Sequence, residues 1–493
     1  MADAAISFNE IPLQIRVPYV YTEYDSTRAN QGPGVQPFKA LMIGQRLASG
    51  TVTTLNPRRI TSAAQASELF GPGSSLHLMA RAWFTENTIT ELWAAGFGNP
   101  SGAEAEGTLV FTGPSTAAGT ISLYIAGERL QIAVASGQTA AQIATAVAAA
   151  INAATGLPVS AAVDGSDTTQ VNVTALEIGL LGNTINMRVN YFDGEVLPAG
   201  TGVTITQLTG GTGAVDLDTL WPLLGDEHYN VIVCPWTDSA TLSDLKVELA
   251  SRAGPLRQIE AVAYSFKDDT HANLGTFGDS HNEKFLTVMG MKGVPTPAFA
   301  NAAAYAAVEA YQRSIDPARP TQTLPMNYVK APARADRFTM QENNILLYDG
   351  IATAYTDASG VVRLQRSVTT YKENAFGADD PAYLDVETLF TLSYIRWSVR
   401  NRLLLKYPRH KLANDGTRFG AGQAVVTPKV IKAELVSLFE EWEFIALVEG
   451  ADQFAKDLIV SRNISDPNRI DVRLPPDLVN QLRVTAIQIQ FLV

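Results

Sequence analysis

The sequence predicts a multidomain chain of α+β and α/β character: a mixed-sheet main body, an inserted β-rich domain with one helix, and a C-terminal α+β domain completed by strands exchanged from neighbouring subunits. Three observations predict it. The chain has 493 residues, more than one hydrophobic core usually serves. Its composition turns to Gly, Pro, Ser and small acidic residues over 96–107 and changes again over 209–213, as at the two edges of an insertion. Both ends are apolar arms with strand character.

At the N-terminus Ile6, Phe8, Ile11, Leu13, Ile15 and Val17 run through a segment interrupted by Pro12 and Pro18, too short and broken to fold alone. At the C-terminus Leu482, Val484, Ile487, Ile489, Phe491 and Val493 alternate to the final residue. A low-charge, proline-free strand with an open edge aggregates unless that edge meets an intended partner. The arms therefore point to a subunit stitched to its neighbours. The expected division is an N-terminal arm and linker (1–37), a main body (38–98 with 214–340), an insert (99–213), a C-terminal α+β domain (341–481) and a C-terminal arm strand (482–493).

In chain order, 40–44 is a short buried-strand pattern, and Ser62 with Gln65 has capping-box spacing for a helix that stops at Gly71. A second helix is expected over 76–87. In the insert, 108–112, 119–125, 128–133, 171–175, 183–191 and 201–208 have strand character. Thr139 and Gln142 form a capping box for its one helix. Ile143, Val147 and Ile151 share a face of that helix, and Gly156 and Pro158 end it. A sheet covered by one helix on long flexible joins is the expected product.

The main body resumes with 229–234, an apolar run suited to a strand covered on both faces. Helices are expected at 243–252 and 297–312, with a strand at 259–265 between them, a layered α/β alternation. Beyond it, 361–370 is strand-like. Asp385 is placed to cap a long helix with Leu389, Leu392, Ile395, Val399 and Leu403 on one face, ending by Pro408. Thr427 and Pro428 open another helix, with Ile431, Leu435, Leu438 and Trp442 on one face. Two strands, 470–474 and 482–493, flank Pro475-Pro476-Asp477.

Composition narrows the function. The balance of 46% hydrophobic and 17% charged residues is globular, and a net charge of −12 argues against a general nucleic-acid binder, because phosphate backbones demand net basic surface. The single cysteine, Cys234, excludes an internal disulfide and fits a reducing cytoplasm. No secretory signal opens the chain, and the longest weakly polar run, 139–154, is too polar and short for a membrane span.

No catalytic constellation, cofactor motif or metal set emerges. Gly71-Pro72-Gly73-Ser74-Ser75 has the letters of a phosphate loop without the Lys and hydroxyl that follow one. Ser280 adjoins His281, but no apolar strand leads into a nucleophile elbow there. The five histidines lack zinc spacing. Doublets such as Asp268-Asp269 and Asp379-Asp380 sit beside turn residues and read as solvated loops.

One charged feature stands out, the run Arg396, Arg400, Arg402, Lys406, Arg409, Lys411 and Arg418, with Asp415 its lone acid. Arg396, Arg400 and Lys406 can share one side of the long helix, and Lys429 with Lys432 can extend that surface. It reads either as a solvated face or as a contact for an acidic protein.

Several blocks together resemble a family. Ser7-Phe8-Asn9-Glu10-Ile11-Pro12 before Arg16-Val17-Pro18, Leu41-Met42-Ile43-Gly44-Gln45, Thr369-Thr370-Tyr371-Lys372-Glu373-Asn374, Tyr383-Leu384-Asp385, Lys411-Leu412-Ala413-Asn414-Asp415-Gly416 and Arg462-Asn463 resemble, in order and spacing, the contractile tail sheath proteins of Mu-like bacteriophages. The resemblance implies homo-hexameric rings stacked helically around a tail tube, with baseplate and tail terminator proteins as further partners. It implies assembly in the host bacterial cytoplasm, residence in the virion, and contraction that drives the tube through a bacterial envelope. It calls for no nucleotide or other cofactor, no nucleic acid and no membrane insertion. The arms would add strands to neighbouring sheets, on flexible hinges at 30–37 and before Leu482. Arg396, Arg400, Lys406, Lys429 and Lys432 would be the candidate tube contact. A tail tube or baseplate component is the alternative. An esterase centred on Ser280 and His281, and a carbohydrate-binding insert, are more distant ones.

Overall fold

The computed structural model describes residues 17, 20, 22, 36–420 and 422–492. They form two compact units, one of residues 37–397 joined by the segment from 480 onward, the other of residues 398–479. The boundary read at 341 lies inside the first unit.

The first unit opens with β1 (Lys39–Gln45), β2 (Arg58–Ile60), α1 (Ala63–Phe70), α2 (Ser75–Glu86) and β3 (Glu91–Phe97). The insert follows as β4 (Glu104–Thr112), β5 (Gly119–Ile125), β6 (Glu128–Val134), α3 (Ala140–Ala153), β7 (Val159–Val163), β8 (Gln170–Ile178), β9 (Met187–Val189) and β10 (Gly202–Thr209). Then come α4 (Trp221–Leu224), β11 (Val231–Val233), α5 (Ser239–Ala253), β12 (Val262–Asp268), α6 (His271–Asp279), β13 (Leu286–Met291), α7 (Ala298–Ile315), α8 (Met340–Tyr348), β14 (Thr353–Thr356) and β15 (Val362–Arg366).

The main sheet has the order β13-β12-β11-β1-β3-β2, parallel throughout except for the edge pair β2–β3. Parallel strands covered on both faces must be apolar on both, and residues 40–43 and 231–233 are fully buried. The alanines of α7 let it lie close against α2 and β12. Among the elements not foreseen, β3 begins just before the glycine-rich shift, and β13 and α6 lie between the predicted strand and helix.

In the insert, β10-β4-β8-β7 and β6-β5-β9 form two antiparallel sheets. The capping box is present, with Thr139 accepting from the Gln142 N–H and Gln142 from the Thr139 N–H. The Ser62 box is only half made. Gln65 Oε1 accepts from the Thr61 N–H at 2.8 Å, one residue before the expected donor. The strand expected over 183–191 shrinks to β9. Leu180–Thr184 is a 3₁₀ turn after Gly179 at φ 128°, and a Cβ on Gly182 would strike Ala105 and Ala175 at 2.9 Å. That close approach takes the backbone off the strand path.

The insert is not carried on flexible joins. One continuous hydrophobic core runs from Leu41, Trp83 and Tyr264 of the main body to Leu109, Val147 and Val173 of the insert. Polar ties reinforce it: Gln45 Nε2 donates to the Ile178 carbonyl at 2.8 Å, Tyr191 OH to that of Ala331 at 3.0 Å, and Arg188 Nη2 to that of Gly293 at 3.1 Å. The joins are short of apolar residues in sequence, and the docking face comes from the strands and helix behind them.

In the second unit, α9 (Val386–Lys406) crosses the division and is followed by β16 (Lys411–Leu412), β17 (Val425–Val426), α10 (Pro428–Phe444), β18 (Val448–Glu449), α11 (Ala451–Asp457), β19 (Ile459–Arg462), β20 (Ile470–Arg473) and β21 (Asp477–Leu478). Thr427 caps α10 by accepting from the Val430 N–H, with Pro428 in the first turn. Ile431, Leu435, Leu438 and Trp442 are buried as their spacing predicts. Phe439 stacks on Phe454 with ring centroids 4.0 Å apart, and Trp442 Nε1 donates to Ser398 Oγ. The antiparallel pair β19–β20 stands as a two-stranded ladder.

Candidate functional site

Residues 482–492 form no strand within the chain. The alternation is there but the ladder is not, because no described segment of the same chain lies alongside to exchange hydrogen bonds. The apolar side chains consequently stand in solvent: Leu482 is 73% exposed, Val484 83%, Ile487 79%, Ile489 83% and Phe491 79%. Val493 lies outside the described residues, as do Ile6, Phe8, Ile11, Leu13 and Ile15. Val17 is described and is 67% exposed.

The root of this arm is held firmly. Gln481 Nε2 donates to the Ala318 carbonyl and Gln322 Nε2 to the Leu482 carbonyl at 3.2 Å. Arg483 enters a line of alternating charges. Its Nη2 lies 3.1 Å from Asp385 Oδ1 and 2.9 Å from Glu387 Oε1. Asp385 is gripped from its other side by Arg366 through both Nε and Nη2 at 2.9 Å. Glu387 also meets Arg313 Nη2 at 3.3 Å, and Arg313 Nε donates to Glu309 at 3.0 Å. Arg313, Glu309 and Glu387 have fully buried side chains. Burial opposes charge on Arg313, but the two carboxylates outweigh it and hold its pKa above the usual value. Asp385 thus serves this network with its carboxylate.

The network was not singled out in the sequence, though two signals point to it. Glu309 and Arg313 are an i,i+4 pair on an alanine-rich helix that has little other charge, and Arg483 is the only charged residue of 482–493.

The five basic candidates part company. Arg396 donates to Glu260 and to the Ala253 carbonyl, and Lys406 pairs with Glu434 at 2.7 Å. Burial raises the Glu434 carboxyl, but hydrogen bonds from Lys406 and Arg402 prevail and hold it below the usual range. These two cations are therefore neutralised within the chain, by acids that spacing along the helix could not reveal. Arg400 and Lys429 are exposed and Lys432 half-buried. Among the described residues no ion pair involves any of the three.

The motifs weighed for chemistry resolve structurally. The phosphate-loop letters form a turn with Gly71 and Gly73 at positive φ. The helix N-terminus behind it, where an anion is favoured, is taken by Glu177 of the insert. Its carboxylate accepts from the Ser75 N–H at 2.8 Å, and burial lifts its pKa to about 7. His77 Nδ1 accepts from the Gly73 N–H, and burial lowers its pKa to about 4. Ser280 Oγ lies 2.8 Å from His281 Nδ1, but both also reach the Phe277 carbonyl, at 2.7 and 2.8 Å. An Nδ1 that donates to that carbonyl has no lone pair for the serine proton. Asp268 is exposed at the end of β12, where it accepts from the Gly293 and Val294 N–H groups. Cys234 is buried, which pushes its thiol up to about 12. No helix among the described residues is long and apolar enough to cross a membrane, and no group of three His, Cys, Asp or Glu there could hold a metal.

Models of the phage tail sheath protein central domain and the phage tail sheath C-terminal domain match residues 210–370 and 378–492. A Mu-like prophage FluMu tail sheath protein from Haemophilus influenzae is 42% identical over 489 residues, covering 99% of this chain and 100% of the relative. The fold is similar to that of a sheath tail protein from Listeria innocua (TM-score 0.50, 12% identity, 92% of this chain and 94% of that one). It is equally similar to the sheath of an extracellular contractile injection system solved in its contracted state (TM-score 0.50, 10% identity, 97% and 98%). With identity at this level sustained from end to end, and with both sheath domain models in their order along it, the chain belongs to the Mu-like phage tail sheath family.

Proposed function

We propose that this protein is the structural subunit of a contractile phage tail sheath. It polymerises as stacked homo-hexameric rings around the tail tube, between baseplate and tail terminator proteins, and contracts to drive the tube through the bacterial envelope. Assembly takes place in the host bacterial cytoplasm, and the role calls for no catalysis, cofactor, nucleic acid or membrane insertion. The insert (99–213) sits at the periphery, and the main body and the C-terminal domain carry the lattice.

The observation that supports this best is the row of exposed apolar side chains over 482–492, a strand without a ladder. Its natural acceptor is the β19–β20 ladder of a neighbouring copy. The hairpin β14–β15 is flanked by bridges from Met289 to Ala352, just before β14, and from Pro325 to Arg363. Beyond their mutual ladder, β19 and β20 pair with no further strand among the described residues. Each added backbone hydrogen bond contributes about 0.5–1.5 kcal/mol, and repetition through a lattice multiplies the effect. Arg400, Lys429 and Lys432 are the candidate tube contact, and Arg396 and Lys406 join it only by leaving their intrachain partners.

The test is a chain truncated before Ala486. It should fold as a soluble subunit and form neither rings nor tubes by negative-stain microscopy. Normal tubes from that chain would sink the proposal.

A further inference from the structure

We infer that Arg483 is a built-in anchor that keeps the root of the C-terminal arm locked to its own subunit, so that the arm pivots after residue 483 and not before Leu482. The inference rests on the reading of 484–492 as a donated strand. A flexible linker ahead of the strand would leave residues 480–482 without bonds, but Gln481 and Leu482 are both hydrogen-bonded to the loop that follows α7. Arg483 then plants the only charge of the arm between Asp385 and Glu387. From Val484 to Leu492 every residue is exposed. Leu482 is itself exposed, and among the described residues Arg483 is the last of the arm with a tie to the body.

The chemistry of the anchor suits a point that must carry load. Arg366, Arg483 and Arg313 alternate with Asp385, Glu387 and Glu309, so three cations balance three carboxylates. Removing one partner from such a buried set leaves an uncompensated charge and is strongly unfavourable. Pulling Arg483 out would leave the fully buried Glu387 with Arg313 as its one remaining cation, and Asp385 with Arg366. The strand beyond it is apolar, exchanges backbone hydrogen bonds one at a time, and has no comparable tie to its own body. When bodies rotate against each other, the segment beginning at Val484 is therefore the part that yields. Arg483 acts as a positioning residue: it sets where the donated strand begins, and hence its register on the acceptor.

Trypsin reads this directly on the unassembled full-length chain, by mass spectrometry of the loss of residues 484–493. Cleavage after Arg483 should be about tenfold or more slower than after the exposed Arg418. In the double variant Asp385→Asn, Glu387→Gln the two rates should become similar. Equal rates in the wild-type chain would overturn the anchor. Because Glu387 also supports Arg313, hydrogen exchange on Arg483→Met serves as a second measure. Amides over 480–484 should exchange about tenfold or more faster while those of the main sheet stay unchanged, and an unchanged root would overturn the inference. Both experiments use single subunits, so their failure leaves the sheath reading to the truncation at Ala486.

Discussion

The insert and the C-terminal arm carry the same alternating signature, yet one forms two antiparallel sheets and the other forms no strand at all. In the insert, β4 finds β8 and β10 on its two sides, and α3 covers the ladder. In the arm, the same alternation of isoleucine and glutamine meets no partner and leaves Ile487 and Ile489 about four-fifths exposed. Alternation states which faces a strand would have. Whether the strand exists depends on a second segment within reach, and for the arm no described segment of the same chain is one.

Changes at the two places should behave oppositely in the unassembled chain. The largest effect is expected from Ile143→Ala, fully buried on α3. It should destabilise by about 2–5 kcal/mol in denaturant unfolding. Because the core is continuous from insert to main body, one shared transition should shift, and an insert melting alone would break the comparison. A smaller effect is expected at Glu177. Its folded pKa is raised from 4.5 to about 7, so the folded chain holds that proton more tightly than the unfolded chain. The associated stability is full below the unfolded value and is lost as pH rises through about 7. Glu177→Gln should therefore flatten the fall in stability between pH 5 and pH 8, with a gain of about 1–3 kcal/mol at the upper end. An unchanged slope would show that the joint between insert and α2 is not electrostatic. The smallest effect is expected from Ile489→Thr, which should alter the stability of single subunits by less than about 0.5 kcal/mol, any cost appearing only in polymers.

Much of the architecture was legible in advance. The capping box at Thr139, the buried face of α10 from Ile431 to Trp442 and the two-sided burial of β11 each follow from residue type and spacing. The exposed arm was legible as well, as a row of apolar residues in want of a partner. What was not legible depended on distant groups. The basic face on α9 was divided by Glu260 and Glu434, the phosphate-loop turn was occupied by a glutamate about a hundred residues away, and the expected hinge before Leu482 was filled by bonds to Ala318 and Gln322. Charge pairing and docking act through space, and a linear pattern holds no distance information beyond a helical turn.

The sequence by itself determined the periodicities, the caps and breaks, and the family, because each is written in neighbouring residues or in ordered blocks along the chain. The tertiary structure alone decided that the insert shares the main core and that three arginines and three carboxylates converge at the arm root. It also decided that Arg483 lies between Asp385 and Glu387. Burial removes water from charges and apolar groups alike, so the value of each of these contacts depends on what the fold packs around it.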